Sequence, residues 1–169
     1  MDREPFTLHD VSTFPIVRLR AEEARPPGYA TAWCQEMDRL LASEKPFVLV
    51  YPGRRDDELH DDRVARGLWL KRNKEVLAGR CRALIVVEPD SDRRRALEAA
   101  FPGLVRAFGT PQVACATDQD AVSLARQALG AEGRTEPGGR SDAGGNRRLD
   151  IRERVEDRAD DRPGGLCRP

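Results

Sequence analysis

The apolar positions of this chain switch between strand-like and helix-like spacing over its first 130 residues. Pro46–Tyr51 and Cys81–Val87 are mainly apolar runs, which are typical of central strands covered on both faces. Weaker patterns at Phe6–Val11 and Phe14–Leu19 predict a hairpin, and Gln112–Ala116 predicts a short last strand. The pattern therefore predicts five strands, with the two long apolar runs at the centre of the sheet.

Four segments between and after these strands have the 3.6-residue spacing of amphipathic helices. The first follows Pro26-Pro27-Gly28, and its inward stripe comprises Tyr29, Trp33, Met37, Leu40 and Leu41. The second is predicted as one helix over Glu58–Ala78, ended by Gly79, with five inward residues: Val64, Leu68, Trp69, Val76 and Leu77. The third begins at Asp90 or Ser91 and is interrupted at Pro102-Gly103, and the fourth follows Thr117–Asp120.

Strands that alternate with helices favour a mainly parallel sheet joined by right-handed crossovers. We therefore predict an α/β domain over residues 1–130, with a mainly parallel, mixed sheet of about five strands and about four helices. Residues 131–169 are dominated by Gly, Arg, Asp, Glu and Pro. Such a composition buries too little apolar surface to offset the entropy of ordering, so this segment is predicted to be a disordered, charged tail.

Several segments of the domain also carry a family resemblance. They are Phe14–Val17, Glu44–Leu49, Trp69–Asn73, Cys81–Val87 and Ala116–Ala121. Together they resemble the small bacterial STAS-like family, which is related in fold to anti-sigma-factor antagonists. The resemblance implies a domain without chemistry of its own that binds a partner protein or, in relatives, a nucleotide or lipid.

The resemblance also implies where a regulatory switch would lie. In regulatory members a Ser or Thr after the central strand is phosphorylated, which changes partner affinity by adding charge. Here Pro52–Asp62 contains no hydroxyl residue, so we expect no phosphorylation switch in that loop. Two interpretations of Asp56 and Asp57 stay open: they mimic a phosphorylated state, or they simply favour the start of the next helix.

Composition narrows the possible partners. Lys and Arg total 29 and Asp and Glu total 29, so the chain lacks the basic surplus that binding to nucleic acid needs. The four cysteines, Cys34, Cys81, Cys115 and Cys167, are scattered without the spacing of zinc or redox pairs, so we expect no metal site and no cofactor. The first residues lack a signal-peptide pattern, and no stretch approaches about 20 apolar residues, so we expect a cytoplasmic protein without a transmembrane segment.

Candidate binding residues follow the predicted strands. In open α/β sheets, ligands bind where the carboxyl ends of the strands meet. That edge would gather five arginines as an anion-binding lip, with Ser91 or Thr117 as hydrogen-bond donors; the arginines are Arg54, Arg55, Arg93, Arg94 and Arg95. The alternative is a solvated face on which these arginines pair with neighbouring carboxylates such as Asp56 and Asp57.

The sequence gives little support for catalysis. His60 lies among acidic residues at helical spacing, but no Ser or Cys nearby would serve as its nucleophile. His9 and Asp10 are adjacent in a predicted edge strand and so would point to opposite faces. We therefore name no catalytic residue.

Two functional hypotheses follow from these observations. The leading one is a non-catalytic regulatory or scaffolding module that recognises a partner protein through a helix and the loop over Arg54–His60. The alternative is a domain that binds a small anionic molecule, or an enzyme, at the carboxyl edge of the sheet. A binding module should present a shallow, mixed-charge surface, whereas an enzyme should present a deep cleft with convergent polar groups.

Overall fold

The computed structural model describes residues 5–53 and 56–130, and within these ranges the chain forms five strands and five helices. The strands are β1 (His9–Asp10), β2 (Ile16–Leu19), β3 (Phe47–Pro52), β4 (Cys81–Val87) and β5 (Gln112–Cys115). The helices are α1 (Tyr29–Ala42), α2 (His60–Arg72), α3 (Lys74–Arg80), α4 (Ser91–Phe108) and α5 (Asp118–Gly130). The α/β class is therefore confirmed, whereas the predicted tail over 131–169 lies outside the described residues.

The strands lie in the sheet in the same order as in the chain, from β1 at one edge to β5 at the other. The first pair is an antiparallel hairpin, and each later pair is parallel. Leu49 of β3, for example, lies beside Leu84 of β4. Because β2 to β5 run parallel, their carboxyl ends meet at one edge of the sheet.

Helices cover the two faces of this sheet unequally. On one face α1, α2 and α3 contribute Trp33, Met37, Trp69 and Leu77 to a core that includes Phe47 of β3. On the other face, within the described ranges, α5 packs its small residues Ala121 and Ala125 against β3 and β4. Both faces of the central strands are thus buried, as their continuous apolar sequences predict.

The predicted long helix over Glu58–Ala78 is wrong in two respects. It consists of α2 and α3, separated at Asn73, and α3 continues through Gly79. The number of helices in the described ranges is therefore five rather than four. The main-chain hydrogen bonds nevertheless continue across the break, because the amide of Asn73 donates to Trp69 O and that of Leu77 donates to Asn73 O.

The assignment of the inward face of this region is also partly wrong. Trp69 and Leu77 are buried as predicted, but Val64, Leu68 and Val76 are 43%, 58% and 52% exposed. Two polar residues, Asp62 and Arg66, occupy inward positions of α2 instead, at helical spacing with Trp69 and Leu77. The spacing of apolar residues predicted the wrong inward face for α2, because polar side chains occupy part of the face that packs against the core.

The predicted interruption at Pro102-Gly103 is wrong as well, because α4 runs on to Phe108 with Pro102 inside it. Proline removes one helical hydrogen bond. Pro102 lies on the exposed side of the helix, where water can satisfy the freed carbonyl, while its neighbour Phe101 is buried. Burial of the Phe101 ring offsets part of the cost of the proline. The helix ends at Gly109, whose φ of 77° lies in the left-handed region that favours glycine.

Candidate functional site

An open cleft of about 510 Å³ lies at the carboxyl edge of the sheet, where the sequence predicts binding residues. Its walls come from the ends of β2, β3 and β4 and from the first turns of α4 and α5. The charged residues that line it are Arg18, Glu88, Arg93 and Asp118. The predicted edge therefore exists as a surface feature.

The four charged side chains of this cleft form two ion pairs with each other. Arg18 Nη1 lies 2.7 Å from Asp118 Oδ1, and Arg93 Nε lies 3.5 Å from Glu88 Oε2. Glu88 approaches the chain closely at Gly53, where a Cβ atom would lie 2.2 Å from Glu88 Oε2. The described residues of the cleft thus present both signs of charge, and the predicted anion-binding lip stays a prediction.

The predicted site residues are only partly brought together. Asp56 Oδ2 lies 3.5 Å from Arg93 Nη2, so these two form an exposed pair next to the cleft. Asp57 is exposed, and His60 is the exposed first residue of α2. Arg54 and Arg55 lie outside the described residues.

The two predicted hydroxyl donors belong to helix starts. Thr117 Oγ1 accepts a hydrogen bond from the amide of Asp120 at 3.1 Å and donates to Asp120 Oδ2 at 2.7 Å, so it caps α5. Ser91 is exposed, and the side chain of Asp90 caps α4 by accepting from the amides of Asp92 and Arg93. The Thr117 hydroxyl is therefore occupied in stabilising its own helix.

A buried polar cluster that the sequence did not predict joins β1 to α1. The Glu36 carboxylate accepts hydrogen bonds from the amides of Thr7, Leu8 and His9 at 2.6 to 3.0 Å, and from the Thr7 hydroxyl. It also lies 2.8 Å from His9 Nδ1, and His9 is fully buried. Burial would raise the pKa of Glu36, but these hydrogen bonds lower it to about 2.

The other end of the His9 ring extends this cluster toward the centre of the sheet. His9 Nε2 lies 2.8 Å from the Tyr51 hydroxyl, which also accepts a hydrogen bond from Trp33 Nε1 at 2.9 Å. Burial raises the pKa of Tyr51, so its phenol stays protonated. The expectation that His9 has no catalytic partner stays a prediction, but the ring is a buried link between β1, α1 and β3.

A second polar cluster surrounds Arg66 on the inner face of α2. Arg66 Nη1 donates to Glu58 Oε1 at 2.5 Å and to the Tyr29 hydroxyl at 2.6 Å. Its guanidinium also lies 5.2 Å from the centre of the Trp33 ring. Burial opposes the charge of Arg66, but Tyr29, Tyr51 and Glu58 raise its pKa. Arg66 is thus a partly buried cation, 25% exposed, whose guanidinium is held by Glu58 and Tyr29.

Exposed apolar side chains lie on α2 and on the following helix α3. Val64, Leu68 and Val76 recur at intervals of four or eight residues, and we call these three residues the α2 stripe. Lys71 and Arg72, both exposed, follow Leu68 in the last turn of α2. Arg72 lies four residues after Leu68 and four before Val76, so basic side chains separate the apolar residues of α2 from Val76.

The thiols of the described residues are not activated. Burial raises the pKa of Cys34, Cys81 and Cys115, in the case of Cys81 to about 12. A nucleophilic cysteine requires the opposite shift. No group of three or more His, Cys, Asp and Glu in residues 5–53 and 56–130 is arranged to hold a metal ion. In the same ranges no helix is both long enough and apolar enough to cross a membrane.

Comparisons with protein-family models, curated proteins and solved structures give no significant match for this chain.

Proposed function

We propose that this protein is a non-catalytic regulatory or scaffolding module that binds a partner protein through the α2 stripe, without a phosphorylation switch. The observation that carries this proposal is the exposure of Val64, Leu68 and Val76 on α2 and α3, two successive helices that contribute Trp69 and Leu77 to the core. Single exposed apolar residues are ordinary on protein surfaces, but a row of them at helical spacing is typical of an interaction site.

The stripe has the geometry of a helix-docking surface. Val64 and Leu68 are neighbours on one face of α2, since side chains four residues apart lie side by side. The hydrogen bonds through Asn73 keep α2 and α3 nearly continuous, so Val76 extends the row that begins at Val64. An amphipathic helix of the partner would bury these side chains with its own apolar face.

The charges beside the stripe define the chemistry of this partner. Lys71 and Arg72 flank Leu68 on the exposed side of α2. Complementary charge favours a partner helix with Asp or Glu beside its apolar residues, and like charges there would be rejected. The expected partner segment is therefore an acidic amphipathic helix.

The carboxyl-edge cleft is less suited to the alternative function of binding an anion. An anionic ligand would compete with Asp118 for Arg18 and with Glu88 for Arg93. The resemblance to STAS-like domains favours the same choice of a binding module. The loop Pro52–Asp62 offers no hydroxyl to phosphorylate, so the partner is recognised in the unmodified state.

The test is affinity purification from the native cells with quantitative mass spectrometry, using wild type and two matched variants. Val64→Glu places a charge within the stripe, whereas Val113→Glu places it on a valine of similar exposure on β5. We expect a stoichiometric protein partner that Val64→Glu loses by more than tenfold and Val113→Glu retains.

A third variant, Lys71→Glu, tests the charge of the partner and should weaken binding because it removes a basic neighbour of Leu68. Partner binding that survives Val64→Glu would contradict the role of the stripe. Stoichiometric phosphate on Tyr51 or Ser91, coupled to a change in partner binding, would contradict recognition in the unmodified state.

A further inference from the structure

Two adjoining cavities lie between the sheet and the helices of its larger layer, and we call them the outer and inner lobes of one candidate site because they share lining residues. The outer lobe has a volume of about 180 Å³ and the inner lobe about 50 Å³. Tyr51, Arg66, Leu84 and Gln112 line both lobes. The outer lobe also shares Pro52 and Gly53 with the carboxyl-edge cleft, so it is reached from that side.

Two buried polar groups of the inner lobe have no hydrogen-bond partner within the part of the chain that the structure describes. They are Arg66 Nε and Thr110 Oγ1. Both residues line the inner lobe, and Thr110 is 4% exposed. An unpaired buried donor costs free energy, so two of them in one small cavity call for an occupant that accepts hydrogen bonds.

The outer lobe has a different character, because its walls are mainly apolar. They include Leu19, Ala24, Val86, Leu97, Phe101 and Leu104. An apolar cavity of about 150 Å³ is large enough to bind a benzene ring. An occupant of both lobes would therefore place an apolar body in the outer lobe and an acceptor atom in the inner one.

The charge balance of the cavity indicates that this occupant is neutral. Arg66 is the cation of the cavity wall, and Glu58 Oε1 already lies 2.5 Å from its Nη1. A ligand carboxylate would be buried near the Glu58 carboxylate, and the described lining residues of the two lobes offer no second cation to balance it, which is costly. A carbonyl oxygen, in contrast, carries two lone pairs and no charge.

We propose that the two-lobed cavity binds a small, uncharged molecule with an apolar body and a terminal carbonyl group. The carbonyl oxygen accepts hydrogen bonds from Arg66 Nε and Thr110 Oγ1, and the apolar body fills the outer lobe. This site is separate from the α2 stripe, whose three residues are exposed and line neither lobe.

Acetophenone is a suitable probe, since it combines one aromatic ring with one carbonyl group. α-Methylstyrene has nearly the same shape without the acceptor, and benzoate has the shape with a negative charge. Titration of the full chain with acetophenone, monitored by ¹H–¹⁵N NMR, should show saturable binding with a Kd of about 1 mM or lower. The amide signals of Thr110 and Gln112 should shift, and α-methylstyrene should bind more weakly.

The matched variants are Thr110→Val, which removes the unpartnered hydroxyl at nearly constant volume, and Thr31→Val on the exposed side of α1. Thr110→Val should weaken acetophenone binding by roughly two- to tenfold and leave α-methylstyrene binding unchanged. Thr31→Val should change neither. The thermal midpoint of free Thr110→Val should not fall, because its hydroxyl makes no hydrogen bond that the variant would lose.

Three results would overturn the proposal. The first is the absence of saturable shifts with acetophenone, together with a crystal structure in its presence that shows only ordered water in the inner lobe. The second is equal affinity of α-methylstyrene and acetophenone for the wild type, which would remove the carbonyl from recognition. The third is tighter binding of benzoate, which would show that the ligand is an anion.

Discussion

Substitution of the buried carboxylate Glu36 by glutamine should destabilise the fold strongly while changing the shape of the side chain very little. The carboxylate accepts hydrogen bonds from three consecutive main-chain amides and from two side chains, and it is 3% exposed. Glutamine would direct its NH₂ group at donors that need an acceptor. The result is a buried polar contact without compensation.

The magnitude follows from the pKa of Glu36. Its pKa is about 2 in the fold and 4.5 in a free side chain. At about 1.4 kcal/mol for each pH unit, the charged form contributes about 3 kcal/mol to the free energy of unfolding. Glu36→Gln should therefore lower the free energy of unfolding by about 3 kcal/mol at pH 7, a large part of the stability of an ordinary domain.

The pH dependence gives this prediction a second, independent measurement. Because the pKa is lower in the fold, the stabilisation by the carboxylate is complete above about pH 4.5 and is lost as the pH falls toward 2. Urea unfolding followed by tryptophan fluorescence should show a constant difference between wild type and Glu36→Gln from pH 5 to 8. That difference should shrink below pH 4.5.

The matched control is Glu98→Gln on the exposed side of α4, which should change the free energy of unfolding by less than about 0.5 kcal/mol. A loss below about 1 kcal/mol for Glu36→Gln would refute the assignment of Glu36 as an anchor of β1. So would a difference that stays unchanged between pH 7 and pH 3, because the charge would then not be its cause.

Two further predictions concern the larger core. Trp69→Ala should lower the free energy of unfolding by ~3–5 kcal/mol in urea titrations, because the ring is 3% exposed and its Nε1 donates to Asp38; near-wild-type stability would show that the ring does not pack. Burial raises the pKa of Cys81 to about 12, so iodoacetamide at pH 8 should leave this thiol unmodified in the folded protein and alkylate it after unfolding. Peptide mapping measures the modification, and alkylation of Cys81 in the folded protein would contradict its burial.

The central strands could be predicted from sequence because their apolar runs reflect burial on both faces. Phe47–Pro52 and Cys81–Val87 agree with the predicted segments to within a residue. Periodicity failed where a buried helix face carries charge, as at Asp62 and Arg66. Hydrophobic patterning treats these positions as solvent-facing, and it places Leu68 inside although the side chain is outside.

The polar anchors of the fold were missed for a related reason. Glu36 lies within the apolar stripe of α1, three residues after Trp33 and four before Leu40, and that position was the available signal. Its partners in and just before β1 are 27 to 29 residues away, a distance over which sequence pattern carries no pairing information. Thr110 and Arg66 are likewise brought to one cavity by tertiary packing alone.

The chain-ordered sheet has a consequence for biosynthesis. Each new strand pairs with the one made just before it, so β1 to β4 can assemble progressively as the chain emerges from the ribosome, N-terminal end first. The second face of the sheet has to wait for α5, because Ala121 and Ala125 cover Val48, Val50 and Ile85. A nascent chain that ends before α5 would therefore present an uncovered β-sheet surface to chaperones and to aggregation.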